Sequence, residues 1–146
     1  MAHILLLFFK KFDKMRKLLR GYLRKNVWIS IESPTQSDYR YSVYPTFETL
    51  LFILLENAIK YSPNNLPVDV IFEEKKCQLD VTIKSIGPYC DENEILHLCD
   101  KGFRGENARM VQSTGQGFGL NFAQKICVDH NIGIAFDSTY LKKITE

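Results

Sequence analysis

Apolar residues recur every three or four positions in two segments of the chain, and this spacing predicts two amphipathic helices. The first helix runs from Phe12 to about Lys25–Asn26, with Lys and Arg between its apolar positions. The second begins after Tyr44-Pro45, takes Thr46 as its N-cap and ends near Tyr61. Its apolar face should dock on a sheet and consists of Phe47, Leu50, Leu51, Leu54, Leu55 and Ala58.

Alternating or β-branched segments predict strands between and after these helices. The predicted strands are 27–32, 68–72, 78–84 and 132–136, with a charged hairpin at Glu73–Lys76. Two further helices are predicted, a short one at Glu92–Cys99 and a longer one at about Leu120–Asp129. The pattern predicts an α/β (α+β) two-layer sandwich, in which a mixed sheet is covered on one face by about three helices. A long irregular segment between 87 and 119 is inserted, and loops of that length are usually functional or disordered.

Length and composition indicate one ordinary globular domain spanning residues 1–146. The net charge is +2, yet residues 1–26 carry eight Lys or Arg against one Asp. Because these basic residues interleave with apolar ones, the polar face of a helix is favoured over a nucleic-acid or membrane surface. The apolar run Ile4–Phe9 is too short to span a bilayer and lacks the flanks of a signal peptide.

The spacing of the four cysteines, Cys77, Cys90, Cys99 and Cys127, fits no zinc finger and calls for no disulfide. Reduced, mostly buried thiols are expected.

The end of the second predicted helix carries three residues suited to a nucleotide. Asn57, Lys60 and Tyr61 are three and four positions apart, so they project from one helical face. An amide oxygen can ligate Mg²⁺, an ammonium can neutralise phosphate, and a tyrosine ring can pack beside a base. An Asn-x-x-Lys pair alone is typical of a solvated helix end, whereas the string LLENAIKYSP is far more specific.

Glycines alternate at Gly115, Gly117 and Gly119, immediately before the helix that starts at Leu120. Such glycines let the backbone approach a ligand closely, and the amides at a helix start form an anion site. A lone G-x-G-x-G is typical of a flexible linker, and it matches neither the dinucleotide fingerprint nor the P-loop. Phe103 and Arg104 lie in a second glycine-flanked loop, where an arginine can contact phosphate, although an ordinary surface turn has the same composition.

Together these motifs resemble the ATPase family that unites histidine kinases, DNA gyrase and heat-shock chaperones. The resemblance covers about Phe12 to Phe136. The sequences KYSP and KGFRG are more similar to those of sensor histidine kinases than to those of gyrase or the chaperones. LLENAIKYSP resembles the asparagine box, SIGP (85–88) occupies the first glycine box, KGFRG (101–105) resembles the phenylalanine-box region and GQGFGL (115–120) matches the second glycine box.

The resemblance implies a domain that holds ATP and Mg²⁺ between helices and a lid at about 88–114. It implies that Asn57 ligates Mg²⁺, Lys60 contacts phosphate, Tyr61 flanks the adenine, and the glycines of the second glycine box wrap the phosphates. The expected ATP-binding residues are Asn57, Lys60, Tyr61, Ser85, Gly87, Phe103, Arg104, Gly115, Gly117, Gly119 and Leu120. No catalytic side chain is assigned.

Two positions depart from the family pattern. The first glycine box normally has an acidic residue two positions before its first glycine, and this residue accepts a hydrogen bond from the adenine amino group. In this sequence the residue is Ser85, and Tyr89 replaces the second glycine of the box. A serine can accept the same bond, but without charge assistance it is weaker. Ile53, four residues before Asn57, cannot act as a general base, which argues against gyrase-like hydrolysis and leaves phosphoryl transfer to a partner.

The resemblance also implies partners. His3, His97 and His130 do not look like phosphoacceptors, so the acceptor histidine is expected on another segment or chain, with a response regulator downstream. A cytoplasmic location is expected, with no nucleic-acid partner and with a membrane involved only through a missing part of a parent protein. The polar tail that ends at Glu146 suggests a domain incomplete at its C-terminus. The alternatives are a stand-alone nucleotide-binding regulator, similar to anti-sigma-factor kinases, and a degenerate module that binds a partner without catalysis.

Overall fold

The computed structural model describes residues 13–21, 23–32, 45–75, 78–111, 117 and 119–139, and their elements follow the predicted order closely. Residues 13–21 form helix α1. The other elements are β1 (Ile29–Glu32), α2 (Thr46–Tyr61), β2 (Val68–Lys75), β3 (Gln78–Lys84), α3 (Glu92–His97), α4 (Glu106–Val111) and α5 (Gly119–Asp129). The chain divides into two compact units, Met1–Gly87 and Pro88–Glu146. The second unit therefore begins where the lid was predicted to begin.

A three-stranded mixed sheet organises the first unit. Strand β1 pairs parallel with β2, with Ile29 opposite Val68, and β2 pairs antiparallel with β3, with Lys75 opposite Gln78. The order β1-β2-β3 places β2 in the centre. The predicted α/β class and the mixed character of the sheet are thus confirmed.

Helices α1 and α2 pack on one face of this sheet. The period of two along β2 buries Val68, Val70 and Phe72 together. Leu19 of α1 and Leu55 of α2 are buried in the same cluster. Both outer strands also contribute partly buried residues that pack against this core, namely Ile29, Ile31, Leu79, Val81 and Ile83. The predicted apolar face of α2 is buried at Leu50, Leu51, Leu55 and Ala58, and the structure adds Ile59.

Several predicted boundaries of the first unit are corrected. Thr46 is the first helical residue of α2 rather than its cap; Pro45 holds the N-cap position without a side-chain hydrogen bond. The charged residues 73–75 belong to β2, because Glu73 pairs with Asp80 and Lys75 with Gln78. The predicted hairpin therefore begins too early, and residues 76–77 lie outside the described part.

In the second unit, α3 ends at His97, two residues before its predicted end, and α4 was not predicted. The strand predicted at Ile132–Phe136 is wrong, since residues 132–139 have no regular secondary structure. The cause lies at the end of α5. The amide of Ile132 donates to Cys127 O at 2.8 Å and that of Asn131 to Val128 O at 3.3 Å, around Asn131 at φ 53°. This Schellman cap uses the amide with which a strand would begin its ladder. None of the helices within the described residues is both long and apolar enough to cross a bilayer.

Candidate functional site

The last turns of α2 present Asn57, Lys60 and Tyr61 at the edge of the core of the first unit. All three are half-buried, whereas Ala58 and Ile59 between them are buried in the core. The helix therefore anchors one side in the sheet and leaves the predicted ligand-binding side partly accessible. The Nζ atom of Lys60 lies 5.5 Å from the centroid of the Tyr61 ring, within the range of a cation–π contact.

The segment that follows β3 runs beside the end of α2. A Cβ atom added to Gly87 would lie 3.4 Å from the carbonyl oxygen of Tyr61, so the two backbones are in direct contact. Ser85, two residues earlier, is exposed, and Ile86 is 45% exposed. The structure thus brings Gly87, predicted from the first glycine box, to Tyr61, predicted from the asparagine box. The Ser85 hydroxyl is accessible to a ligand.

The end of α2 is fixed by residues that the sequence did not single out. Ser62 is buried at 1% exposure, and its hydroxyl donates to Ala58 O at 2.7 Å. The Nζ atom of Lys25 donates to the carbonyl oxygens of Ile59 at 3.2 Å and Ser62 at 2.7 Å, and also to that of Lys60. The last carbonyls of a helix have no intrahelical donor, and this ammonium supplies the missing hydrogen bonds. Its burial lowers the pKa of Lys25.

In the second unit, the predicted phenylalanine-box loop and the second glycine box meet. The amide of Gly102 donates to Gly117 O at 3.1 Å. Gly117 has φ +72°, and a Cβ atom there would lie 2.4 Å from Phe103 O, so only glycine fits without a shift. Phe103 and the adjacent Arg104 are half-buried, and the Phe103 ring centroid lies 5.9 Å from that of His97.

Helix α5 starts at the second glycine box, as predicted. Gly119 is exposed at its first position and Leu120 is half-buried. No acidic residue lies in its first turn, which keeps the positive end of the helix dipole available to an anion. Gly115 lies outside the described residues.

The predicted lid region contains a small network centred on Glu94. This residue completes a capping box with Asp91 at the start of α3. The Oε1 atom of Glu94 also accepts from the amide of Glu106, the first residue of α4, at 2.8 Å. Gly105 is buried against the same carboxylate: a Cβ atom there would lie 3.1 Å from Oε1. One side chain therefore joins the starts of both helices.

Among the described residues of the second unit, the remaining titratable groups do not form a metal centre. Within the described ranges, no three His, Cys, Asp or Glu side chains gather as potential ligands. His97 Nδ1 lies 2.7 Å from Asp100 Oδ2. Burial raises the pKa of the thiols of Cys90, Cys99 and Cys127 and so disfavours their ionisation.

A comparison with protein families matches most of the chain. Residues 42–145 match the family described as "Histidine kinase-, DNA gyrase B-, and HSP90-like ATPase".

Curated relatives are sensor kinases of which this chain spans only a part. The sensor histidine kinase YvrG of Bacillus subtilis is 33% identical over 85 residues, which is 58% of this chain and 14% of that protein. The histidine protein kinase SaeS of Staphylococcus epidermidis is 27% identical over 118 residues, covering 78% of this chain and 34% of that protein.

Solved structures show the same fold. The mycobacterial sensor histidine kinase MprB superposes with a TM-score of 0.64 at 19% identity, over 85% of this chain and 79% of its own. The catalytic domain of histidine kinase ThkA gives a TM-score of 0.63 at 19% identity, over 84% and 79%.

Proposed function

The chain belongs to the histidine kinase-, DNA gyrase B- and HSP90-like ATPase family, and we propose that it is the ATP- and Mg²⁺-binding catalytic domain of a sensor histidine kinase. The observation that carries this proposal is the end of α2. Asn57, Lys60 and Tyr61 lie there together, and Gly87 packs on the backbone of Tyr61. Tyr61 and Gly87 are 26 residues apart in the sequence, so two separate boxes contribute to one surface.

The donor set of this surface suits a magnesium nucleotide. The amide oxygen of Asn57 would hold Mg²⁺, which usually keeps several waters and binds protein through few ligands together with substrate phosphates. When bound, Mg²⁺ neutralises charge that develops on the transferring phosphoryl group. Lys60 would neutralise phosphate oxygens, Tyr61 would flank the adenine, and Ser85 would accept from its amino group.

The second unit would supply the phosphate cradle and the lid. The amide of Gly102 holds Gly117 in place by a hydrogen bond, and the backbone amides of Gly117 and Gly119 would face phosphate oxygens. By the family resemblance, Gly115 would join them. The start of α5 adds free amides. Phe103 and Arg104 would contact the nucleotide from the same loop, and residues 88–114 would act as the lid of a single ATP-binding domain.

The reaction we propose is transfer of the γ-phosphoryl group to a histidine on another segment or chain. The acceptor imidazole nitrogen forms a bond to the γ-phosphorus as the bond to the β–γ bridging oxygen breaks and ADP leaves. Ile53, half-buried on α2, offers no base to activate water. Transfer depends on positioning and charge neutralisation rather than on such a base, so Ile53 is compatible with it. A histidine-bearing dimerisation segment and a response regulator would be the partners, at the cytoplasmic side of a larger kinase.

Calorimetry with MgATP tests the site. We expect the wild-type chain to bind, Asn57→Ala to weaken binding about tenfold or more and to abolish its dependence on Mg²⁺, and Ser85→Asp to tighten binding. Thr49→Ala, exposed on the same helix, is the matched control and should bind as the wild type does. No binding heat in the wild type overturns the proposal.

Ser85 in place of an acid favours a second candidate, a regulator or a non-catalytic module. The phosphorylated product separates the possibilities. With γ-labelled ATP and a histidine-bearing dimerisation segment supplied in trans, a kinase of the proposed class yields acid-labile, alkali-stable label. Acid-stable label on a serine-containing partner would favour the regulator, and binding without any transfer would favour the non-catalytic module.

A further inference from the structure

Lys25 connects the start of the sheet to the nucleotide-binding end of α2. Its ammonium has three N–H donors, and three backbone carbonyls of the α2 terminus, those of Ile59, Lys60 and Ser62, accept them. A cation at this end is also favoured by the helix dipole. The half-buried ammonium donates its hydrogen bonds to these carbonyl oxygens instead of to water.

The backbone around Lys25 is held in place on both sides. Arg24 adopts a positive φ of 53° as the chain leaves α1, which turns it toward β1. On the other side, the Asn26 side chain donates to Asn65 Oδ1 at 2.9 Å, and the Asn65 amide donates to Asn26 O at 2.9 Å. Val68 at the start of β2 adds a hydrogen bond to Trp28 O at 3.0 Å. Lys25 is therefore presented to the helix end by a fixed segment, not by a flexible arm.

The carbonyls that Lys25 contacts belong to the turn that carries two of the predicted ligand residues. Lys60 is bound through its own carbonyl, and its ammonium lies over the ring of Tyr61. Ile59 O and Ser62 O flank these two residues on either side. Without the Lys25 contacts, the carbonyls of this turn would need other hydrogen-bond donors. The turn could then move, and the Lys60 and Tyr61 side chains would change direction with it.

We propose that Lys25 is a positioning residue of the nucleotide site, acting through the last turn of α2 to orient Lys60 and Tyr61. This inference rests on the proposed function. Lys25 does not contact the nucleotide; it fixes the residues that do. Removing its ammonium should therefore weaken MgATP binding through Lys60 and Tyr61 and leave the remaining contacts intact.

A double-mutant cycle measured by calorimetry with MgATP tests the proposal. Lys25→Met should raise the Kd about tenfold, and Lys25→Arg, which retains charge and donors, should restore most of the affinity. In the Lys60→Met background, Lys25→Met should have a smaller effect, because one of the two residues through which it acts is already absent. Lys14→Met, exposed on α1, is the charge-matched control and should leave the Kd unchanged.

Hydrogen exchange of the amides of Lys60, Tyr61 and Ser62 gives an independent readout, and Lys25→Met should accelerate it. If this variant does not fold, Lys25→Gln, which keeps two donors without charge, takes its place in the cycle. Fully additive effects of Lys25 and Lys60, or a wild-type Kd in Lys25→Met, would overturn the positioning role while the proposed function stands. Failure of the wild-type chain to bind MgATP would instead overturn the proposed function, and the positioning role with it.

Discussion

Gly117 is a position where the backbone leaves no room for a side chain. Its φ of +72° lies in the left-handed region, and a Cβ atom would approach Phe103 O to 2.4 Å and the carbonyl carbon of Gly102 to 2.8 Å. Both neighbours are backbone atoms, so no side-chain rotation relieves the contact. Any substitution must move the backbone at Gly102–Phe103 away from position 117.

We expect Gly117→Ala to lower the free energy of unfolding by about 1–3 kcal/mol, from the strained φ and the steric conflict together. It should also weaken MgATP binding, since the two loops would no longer meet. Gly133→Ala is the matched control, because a Cβ atom at Gly133 has nothing within 4 Å. Urea denaturation of both variants measures the difference. Equal stability of the two would contradict the steric role of Gly117.

Residues differ in how far the sequence reveals their role. The spacing of Asn57, Lys60 and Tyr61 was enough to predict that they share a helical face, because helical geometry fixes neighbours three and four positions apart. Lys25 was missed because its partners are main-chain carbonyls more than 30 positions away, and any residue type can supply a carbonyl. Ser62 was assigned no role of its own, although its burial and its bond to Ala58 O make it the helix cap.

At the scale of elements, the junction of α3 and α4 depends on one carboxylate. Short helices have little intrinsic stability, and their free amides must be satisfied from outside. Glu94 accepts from the amide of Asp91 at 3.3 Å and from that of Glu106 at 2.8 Å. Asp91 accepts in turn from the amide of Glu94 at 2.7 Å. Both helices therefore share a single set of caps.

Glu94→Ala should destabilise the protein by about 1–2 kcal/mol, because it leaves amides at two helix starts without an acceptor. Glu92→Ala removes the same charge from the same first turn but no cap that the structure shows, and it should cost clearly less. Thermal unfolding followed by circular dichroism compares the two. A larger loss in Glu92→Ala would indicate that charge, rather than capping, stabilises this junction.

The elements most easily predicted are those with a strong period and a packed face. Helix α2 and the strands β2 and β3 have both, and their predicted positions are close to those observed. Helix α4 has six residues and no long apolar stripe, and its start depends on a carboxylate from another helix, so its local sequence carries little signal. The segment after α5 shows the reverse case. Its alternation suggested a strand at Ile132–Phe136, but the helix cap at Asn131 determined the local backbone.

At the scale of the whole molecule, the described thiols share one electrostatic behaviour. Burial raises the pKa of Cys90, Cys99 and Cys127, and nearby Glu94 and Asp91 add to the effect at Cys90. The folded protein therefore retains these protons to a higher pH than the unfolded chain, whose thiols ionise near the ordinary value of 9.0.

Stability should accordingly fall as the pH rises through 9, because the unfolded state releases thiol protons before the folded state does. Below that range the thiols are protonated in both states, so they add no pH dependence to the free energy of unfolding. Urea denaturation under reducing conditions between about pH 7.5 and pH 10 measures the decline, and replacing the three thiols by alanine should make it shallower. An unchanged slope in the triple variant would assign the decline to other groups.

Fold and family were the most predictable properties of the molecule, since several boxes in a fixed order leave few alternatives. The resemblance to an ATPase family was stated from LLENAIKYSP and GQGFGL, and the family match over residues 42–145 confirms it. Binding roles of single residues remain predictions, because they depend on the position of a ligand. Replacement of the usual acid by Ser85 changes that position's chemistry without changing the fold.

The parallel pairing of β1 with β2 has a consequence for the order of events during folding. The β2–β3 hairpin closes a short loop, whereas Ile29 can meet Val68 only after the whole of α2 has been enclosed between them. Loop-closure entropy delays such non-local pairing. Lys25 lies four residues before the start of β1, so we expect its contacts with the end of α2 to form when that strand docks. A refolding chain should therefore possess its hairpin and helix before it completes the proposed nucleotide site, so affinity for MgATP should be acquired at the end of the pathway.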